Sequence, residues 1–370
     1  MQTRRLWGDV LLALALPLLA ACSSNPATDD DSAAGVCPPT ARTATLPGAM
    51  GASALTPVPS FGDNPAALKM YVHAPPSGKA TAVVVAMHGC TQTANAYVAA
   101  GWNEVADAAG FAVVYPEQTS QNNSQHCFRW WDPAHTTRGK GEARSIAAMV
   151  EHAKTTYGAT RAFVTGLSAG AAMTSVMLAT YPDIFEAGAI MAGLPYACAT
   201  SQTDAFTCMS GKDKTPAAWG ALVPKVAGAS APRVAIWQGD ADYTVRPKNL
   251  VELVGQWTDV NGISDKATAS TPVGKATHDE YKDASGVVRV ESWSIRGMGH
   301  GVSVDPSAGC GAAGAYVLDE GLCSTTKAAA FFGLVAGDGS PIGTGGTTPG
   351  SGASSGGSGA KGAAAGDCDP

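Results

Sequence analysis

Gly166-Leu167-Ser168-Ala169-Gly170 stands between a short β-branched apolar run and a long alanine-rich apolar stretch, and few chain geometries accept such a segment. In that setting the pattern G-x-S-x-G predicts a strand, a sharp turn and a helix, with the serine raised at the tip of the turn. The reason is steric. Residues two before and two after the serine face each other where strand and helix close up, so neither tolerates a Cβ atom. The same turn aims the Ala169 N–H at whatever binds Ser168. A strand feeding directly into a helix is a unit of α/β architecture, and the rest of the chain should supply more of them.

It does. Short apolar runs recur at Met70–His73, Ala82–Met87, Phe111–Tyr115, Ala162–Thr165, Ala189–Met191, Val234–Trp237 and Val287–Ile295, most of them bounded by Gly, Pro or Asp. Such runs suit strands buried on both faces. Between them the spacing changes: Ile146, Met149, Val150, Ala153 and Tyr157 fall on one helical face. Similar patterns predict helices over about 94–109, 168–180, 247–260 and 325–336. The expected fold is α/β, with a mainly parallel central sheet and helices on both faces, spanning residues 37–336.

The ends of the chain have a different composition. Arg4 and Arg5 precede the apolar run Val10–Leu19 and then Ala20-Ala21, the layout of an export signal over residues 1–21. The apolar run is shorter than the ~20 residues needed to span a bilayer. Leu19-Ala20-Ala21-Cys22 resembles a bacterial lipoprotein box, which makes Cys22 the expected lipidation site. Ser23 after it resembles lipoproteins sent to the outer membrane, while Thr3-Arg4-Arg5-Leu6 only weakly resembles a twin-arginine signal. Residues 22–36 read as a polar tether. Residues 337–370 are almost all Gly, Ser, Thr, Ala and Pro, too poor in apolar area to offset ordering, and read as a disordered tail or linker.

A net charge of −6 without any basic run excludes an electrostatic footprint for nucleic acid. Nine cysteines in an exported chain point to disulfides. With Cys22 set aside, proximity pairs Cys198 with Cys208 and Cys310 with Cys323, leaving Cys90 with Cys127 and Cys37 with Cys368. Neither C-x-x-C nor H-E-x-x-H occurs, so a metal site has no sequence support, and no cofactor is expected.

A serine hydroxyl needs a base, and the base an orienting carboxylate. In the strand–turn–helix setting they should follow in the order serine, acid, histidine, each just past a strand. Val234–Trp237 is followed by Gln238-Gly239-Asp240-Ala241-Asp242-Tyr243-Thr244-Val245, and Val287–Ile295 by Arg296-Gly297-Met298-Gly299-His300-Gly301. His300 is therefore the expected base. His73, His152 and His278 rank below it as surface or turn residues, and His126 and His135, in a polar loop, stay open as substrate contacts. Asp240 and Asp242 both stay open as the acid, since either could simply cap the following helix. His88-Gly89-Cys90 ends the strand Ala82–Met87, where a second oxyanion donor belongs, so the backbones of Cys90 and Ala169 are the expected pair. Trp130 and Trp131 are candidates for an apolar wall of the acyl or alcohol site, and Trp237, in a strand beside the acid, is a candidate substrate contact of the same rank. Trp293 lies likewise beside the base, and for all of them the competing role is core, where a buried Trp is more often found. Gly309-Cys310-Gly311-Ala312-Ala313-Gly314 spells a dinucleotide fingerprint but comes too late and outside a βαβ unit, so it reads as a disulfide-closed loop.

His88–Ala94, Tyr115–Gln118, Cys127–Trp131, Arg138–Glu142, Gly166–Gly170, Gly239–Val245 and Gly297–His300 together resemble the extracellular poly(3-hydroxybutyrate) depolymerases, within an α/β-hydrolase group that includes feruloyl and acetylxylan esterases. The resemblance spans about residues 66–306. It implies an α/β-hydrolase fold, Ser168 as nucleophile, His300 as base, Asp242 as acid through the pattern G-x-x-D-x-x-V, and Cys90 as oxyanion donor. It also implies a polyester or oligoester substrate, with feruloyl or acetyl esters of polysaccharide as the alternative. A non-catalytic ligand-binding lipoprotein is the reading from another class, and the intact Ser168, Asp242 and His300 speak against it. Such depolymerases usually carry, after a linker, a module that adsorbs to solid polymer. The tail here resembles that linker and runs to Pro370. Together with the expected anchor at Cys22, this turns the expectation toward amorphous polymer, oligomers or other esters at a cell surface.

Overall fold

The structure is a computed structural model that describes residues 55–340 and Ile342. The expected export signal, Cys22, the tether, Cys37, Cys368 and the tail beyond Ile342 lie outside the described residues. Among the described residues no helix is long and apolar enough to cross a membrane.

Ten strands form one sheet: β1 (Thr56–Val58), β2 (Lys69–His73), β3 (Ala82–Met87), β4 (Ala112–Glu117), β5 (Arg161–Leu167), β6 (Ala187–Met191), β7 (Arg233–Gly239), β8 (Ala269–Val273), β9 (Ala276–Lys282) and β10 (Val288–Ile295). Their order is β1-β2-β4-β3-β5-β6-β7-β10-β9-β8. The centre, from β4 to β10, is parallel, while the pairings at both margins are antiparallel. Two short strands, β11 (Val302–Val304) and β12 (Val317–Asp319), pair in parallel outside it.

Every residue of β3 is buried because both of its faces are covered. Val83, Val85 and Met87 pack into a core with α4 (Gly141–Tyr157), α5 (Ala169–Thr180) and α8 (Lys248–Val260). Ala82, Val84 and Ala86 pack into the opposite core with α2 (Trp102–Ala109) and α9 (Ser324–Phe332). Period-2 side-chain alternation thus serves two cores at once, which is why the strand reads as an unbroken apolar run. All twelve residues of α5 are buried, and its three hydroxyls, on Thr174, Ser175 and Thr180, donate to the carbonyls of Gly170, Leu194 and Val176.

The margins depart from expectation. The helix over 94–109 is broken into α1 (Ala94–Tyr97), a 3₁₀ turn and α2, because Gly101 adopts a φ of +89°. The helix over 325–336 ends at Gly333, which takes the left-handed C-cap. The hairpin β8–β9 is an addition. Pro272 inside β8 speaks against a strand, and the sheet tolerates it because β8 is an edge. His73 and His278 are not at turns: His73 is buried in β2 with Nε2 2.7 Å from Asp107, and His278 lies within β9 and stacks on Trp293 of β10.

Candidate active site

The sheet register assembles the site. Met87, the last residue of β3, pairs with Gly166 of β5, so the Gly89–Gln92 loop leaves the sheet beside the serine turn. Gly239 of β7 pairs with Ile295 of β10, so the loops carrying the expected acid and base leave side by side. Close approach is enforced by glycine. A Cβ on Gly166 would meet the Gly170 carbonyl, one on Gly170 would meet the carbonyls of Met87 and His88, and one on Gly239 would meet that of Met298.

Ser168 has φ +56° and ψ −116°, a strained backbone for a residue with a side chain. Its N–H donates to the Met191 carbonyl at 3.0 Å, and its carbonyl accepts from Ala172 N at 2.8 Å. The turn is thereby pinned to β6 and to its own helix. Ala169 opens α5, so its N–H has no partner one turn back.

Asp242 is 1% exposed, and four donors converge on its carboxylate. Oδ1 accepts from the amides of Thr244 at 2.8 Å and Val245 at 2.9 Å, and Oδ2 from Gln238 Nε2 at 3.0 Å. Oδ2 also lies 2.7 Å from His300 Nδ1. Burial pushes this carboxyl up, but the His300 contact and the two amides outweigh it and hold it below the ordinary range. Asp240 is turned elsewhere: its Oδ1 accepts from Gly297 N at 2.6 Å and fastens the two loops together. The choice left open between two aspartates is thus a difference in partners: the His300 ring for one, a backbone amide for the other.

The amides of Gly89, Thr91 and Gln92 are all bonded within the protein, to Gln92 Oε1, Gln125 O and Gly89 O. The Cys90 N–H between them has no protein partner among the described residues. Three of the expected disulfides are present: Cys90–Cys127, Cys198–Cys208 and Cys310–Cys323. Beneath the loop, His88 is fully buried. Its Nε2 is 3.1 Å from the Gln118 N–H and its Nδ1 2.7 Å from the Gly89 carbonyl. An N–H facing Nε2 requires that nitrogen to accept, so Nδ1 carries the proton and donates. Burial lowers this imidazole to about 4, so it stays neutral. Gln118 Nε2 in turn donates to Glu142 Oε1 at 2.5 Å, and Glu142 Oε2 accepts from Arg129 N at 2.7 Å. This buried chain holds the segment that carries Trp130 and Trp131.

Ser168 opens onto two adjoining cavities. One, of about 270 Å³, is lined by Cys90, Trp130, Trp131, Ala169, Leu194 and Met209, among others. The second, of about 220 Å³, is lined by Cys90, Gln92, Thr244, Met209, His300 and Tyr316, among others. Trp130 and Trp131 meet edge to face, with centroids 5.6 Å apart. Trp237 is a correction: it stacks on Trp293 at 4.5 Å within the sheet and lines neither cavity, because the strand interior holds its ring in the core. His126 and His135 line neither one. Sequence reasoning missed Phe206 and Met209 of α6 (Gln202–Met209), and also Tyr316. The Cys198/Cys208 and Cys310/Cys323 spacings were the available signals, since each bridge closes a loop that delivers one of these residues. A larger groove of about 1040 Å³ lies at the other end of the sheet, around Pro232 and Gly262, and carries no histidine or cysteine.

Residues 68–282, more than half of the chain, match the family described as esterase PHB depolymerase. A poly(3-hydroxyalkanoate) depolymerase C of Paucimonas lemoignei is 50% identical over 298 residues, 76% of this chain and 70% of its own. Feruloyl esterase B of Talaromyces stipitatus is 35% identical over 273 residues, 69% of this chain and 74% of its own. Among solved structures, an acetyl xylan esterase from Aspergillus awamori superposes with a TM-score of 0.60 at 30% identity, over 67% of this chain and 94% of its own. The fold is that of the α/β-hydrolase esterases, and the chain belongs to the esterase PHB depolymerase family of carboxylic ester hydrolases.

Proposed function

We propose that this chain is a serine esterase that cleaves polyester or oligoester bonds of the poly(3-hydroxybutyrate) type. Ser168 Oγ attacks the ester carbonyl as His300 takes its proton, and Asp242 holds the imidazole with Nδ1–H toward itself. The Cys90 and Ala169 amides receive the oxyanion, each worth roughly 3 kcal/mol of transition-state stabilisation. His300 returns the proton to the leaving alcohol, then deprotonates the water that releases the acyl group. The observation that carries this reading is the convergence on one apolar cavity of a strained serine, an unpartnered Cys90 amide and a helix-opening Ala169 amide, beside a histidine whose far nitrogen meets a buried carboxylate. The 50% identical depolymerase favours polyester, and the relatives named for feruloyl and acetylxylan ester cleavage define the alternative.

The deciding experiment follows release of 3-hydroxybutyrate and its oligomers from amorphous and crystalline polymer, beside ferulate and acetate release from substituted polysaccharide. Ser168-dependent polymer breakdown is the expected result. Ferulate or acetate release alone would move the substrate to plant cell walls. We further propose that the protein is exported and anchored through a lipid on Cys22, supported by Leu19-Ala20-Ala21-Cys22 after an apolar run. Labelling with a fatty-acid analogue should be lost in Cys22→Ser, and persistence of the label would refute the anchor.

A further inference from the structure

We propose that Tyr316 seats the alcohol half of the ester, the half that departs when Ser168 is acylated, and so determines which leaving chains the enzyme accepts. This builds on the proposed triad.

The two cavities divide the substrate. Cys90, Ser168 and Met209 line both; Ala169, Trp130 and Trp131 line only the first, and Thr244, His300 and Tyr316 only the second. When Ser168 Oγ bonds to the acyl carbon, the ester C–O bond breaks and the proton held by His300 passes to the departing oxygen. That oxygen must therefore lie beside His300, in the second cavity, and the acyl chain is left to the tryptophan side.

Tyr316 is built into place there. Its φ is +61°, a conformation unfavourable for a residue with a bulky side chain, so the surroundings must impose it. They do so from several sides. The Ala315 carbonyl accepts from Gln92 Nε2 at 3.1 Å, tying the loop to the oxyanion segment. The Tyr316 carbonyl accepts at 3.0 Å from the N–H of Val302, two residues after His300. Gly314 and Val317 bond to each other across the tyrosine, and the Cys310–Cys323 bridge closes the whole segment. The ring is held edge-on to His300, with centroids 6.0 Å apart at 75°. Yet it is 43% exposed, and its hydroxyl has no protein partner among the described residues. An aromatic face with an unused donor, beside Leu167, Met209 and two threonines, suits a leaving chain that alternates short apolar segments with ester carbonyls. The chemical class is a hydroxyacyl oligoester bound through its alcohol end.

Microscopic reversibility supplies the test. An alcohol that attacks the acyl-enzyme must occupy the leaving-group cavity, giving its proton to His300 as its oxygen bonds to the acyl carbon; the acyl–Oγ bond then breaks as His300 passes that proton to Ser168 Oγ. With p-nitrophenyl 3-hydroxybutyrate as acyl donor, the full mature chain is offered methyl 3-hydroxybutyrate or methanol, and transfer is measured against hydrolysis. Tyr316→Gly removes the ring without straining the backbone, and Tyr316→Asn gives a second ring-free variant suited to the same φ. Both should lower the ratio of transfer to methyl 3-hydroxybutyrate over hydrolysis about tenfold, the scale of one lost aromatic contact, while the ratio of transfer to methanol over hydrolysis, read from the same acyl-enzyme, shifts by less than about twofold. Tyr316→Phe should keep most of the transfer. Wild-type partitioning in both ring-free variants would overturn the assignment. No transfer in the wild type, with p-nitrophenol release unaffected by Ser168→Ala, would overturn the acyl-enzyme and this proposal with it.

Discussion

His88 makes acid stability a direct test of how the Gly89–Gln92 loop is held. The imidazole is fully buried and neutral, accepting from Gln118 N and donating to the Gly89 carbonyl. Desolvation takes it from 6.5 to about 4. The folded value lies below the unfolded one, so the stabilisation is complete above about pH 6.5 and disappears as pH falls through about 4. A shift of that size corresponds to about 3 kcal/mol, the Gly89 bond being retained throughout. Glu252, a buried carboxyl that desolvation pushes up to about 7, works in the opposite sense: its contribution is present below about 4.5 and fades as pH rises through about 7. The wild-type profile alone would blend the two. We therefore expect the signal in a difference: urea unfolding of wild type and His88→Asn at pH 4 to 7, where Glu252 cancels. The wild-type advantage should shrink by about 3 kcal/mol on going from pH 7 to pH 4. A difference that stays constant across that range would refute a buried neutral His88.

Other expectations follow from the same contacts. Asp242→Asn should lower kcat by about 10⁴, since the amide leaves the imidazole in the wrong tautomer, while Asp240→Asn keeps an acceptor for Gly297 N and should cost less than about tenfold; steady-state kinetics giving the reverse ranking would mean the acid is Asp240. The Cys90–Cys127 bridge closes a 37-residue separation, so replacing both cysteines with serine should cost about 3–4 kcal/mol in urea unfolding and also lower kcat by loosening the Cys90 amide. Trp131→Ala should raise KM for 3-hydroxybutyrate oligomers about tenfold, whereas Trp237→Phe, inside the sheet, should leave KM unchanged; equal effects would mean the cavity boundary is drawn wrongly.

What could be read from the sequence was whatever local sterics dictate. The glycines around Ser168 and the fully apolar β3 follow from short-range constraints, and the order of Ser168, Asp242 and His300 from the succession of strands along the chain. The features that eluded reading are long-range. The expected 94–109 helix is broken where Gly101 turns left-handed, and the Gly311 backbone, far along the chain, packs where a Cβ at that position would sit. The same packing gives the glycine at 311 a steric reason, since a Cβ there would meet the Ala99 carbonyl. His88 looked like the end of a strand, and only the fold supplies the Gln118 amide that makes it a neutral acceptor. Trp237 lies on the strand that leads straight into the Asp242 loop, but its ring stacks on Trp293 of the neighbouring strand and lines neither cavity. Tyr316 gains its place through Gln92 and Val302, contacts that no spacing in the chain announces.

The central claim is that Ser168 is the nucleophile. The most direct measurement is the intact mass of the protein after treatment with a fluorophosphonate, which phosphonylates activated serines with loss of fluoride, with the adduct mapped to its peptide and compared with Ser168→Ala. One adduct per chain is expected, on Ser168, forming in step with loss of ester hydrolysis, and neither adduct nor turnover in a Ser168→Ala protein that melts at the wild-type temperature. An adduct on another residue, or substantial ester hydrolysis by Ser168→Ala, would contradict it.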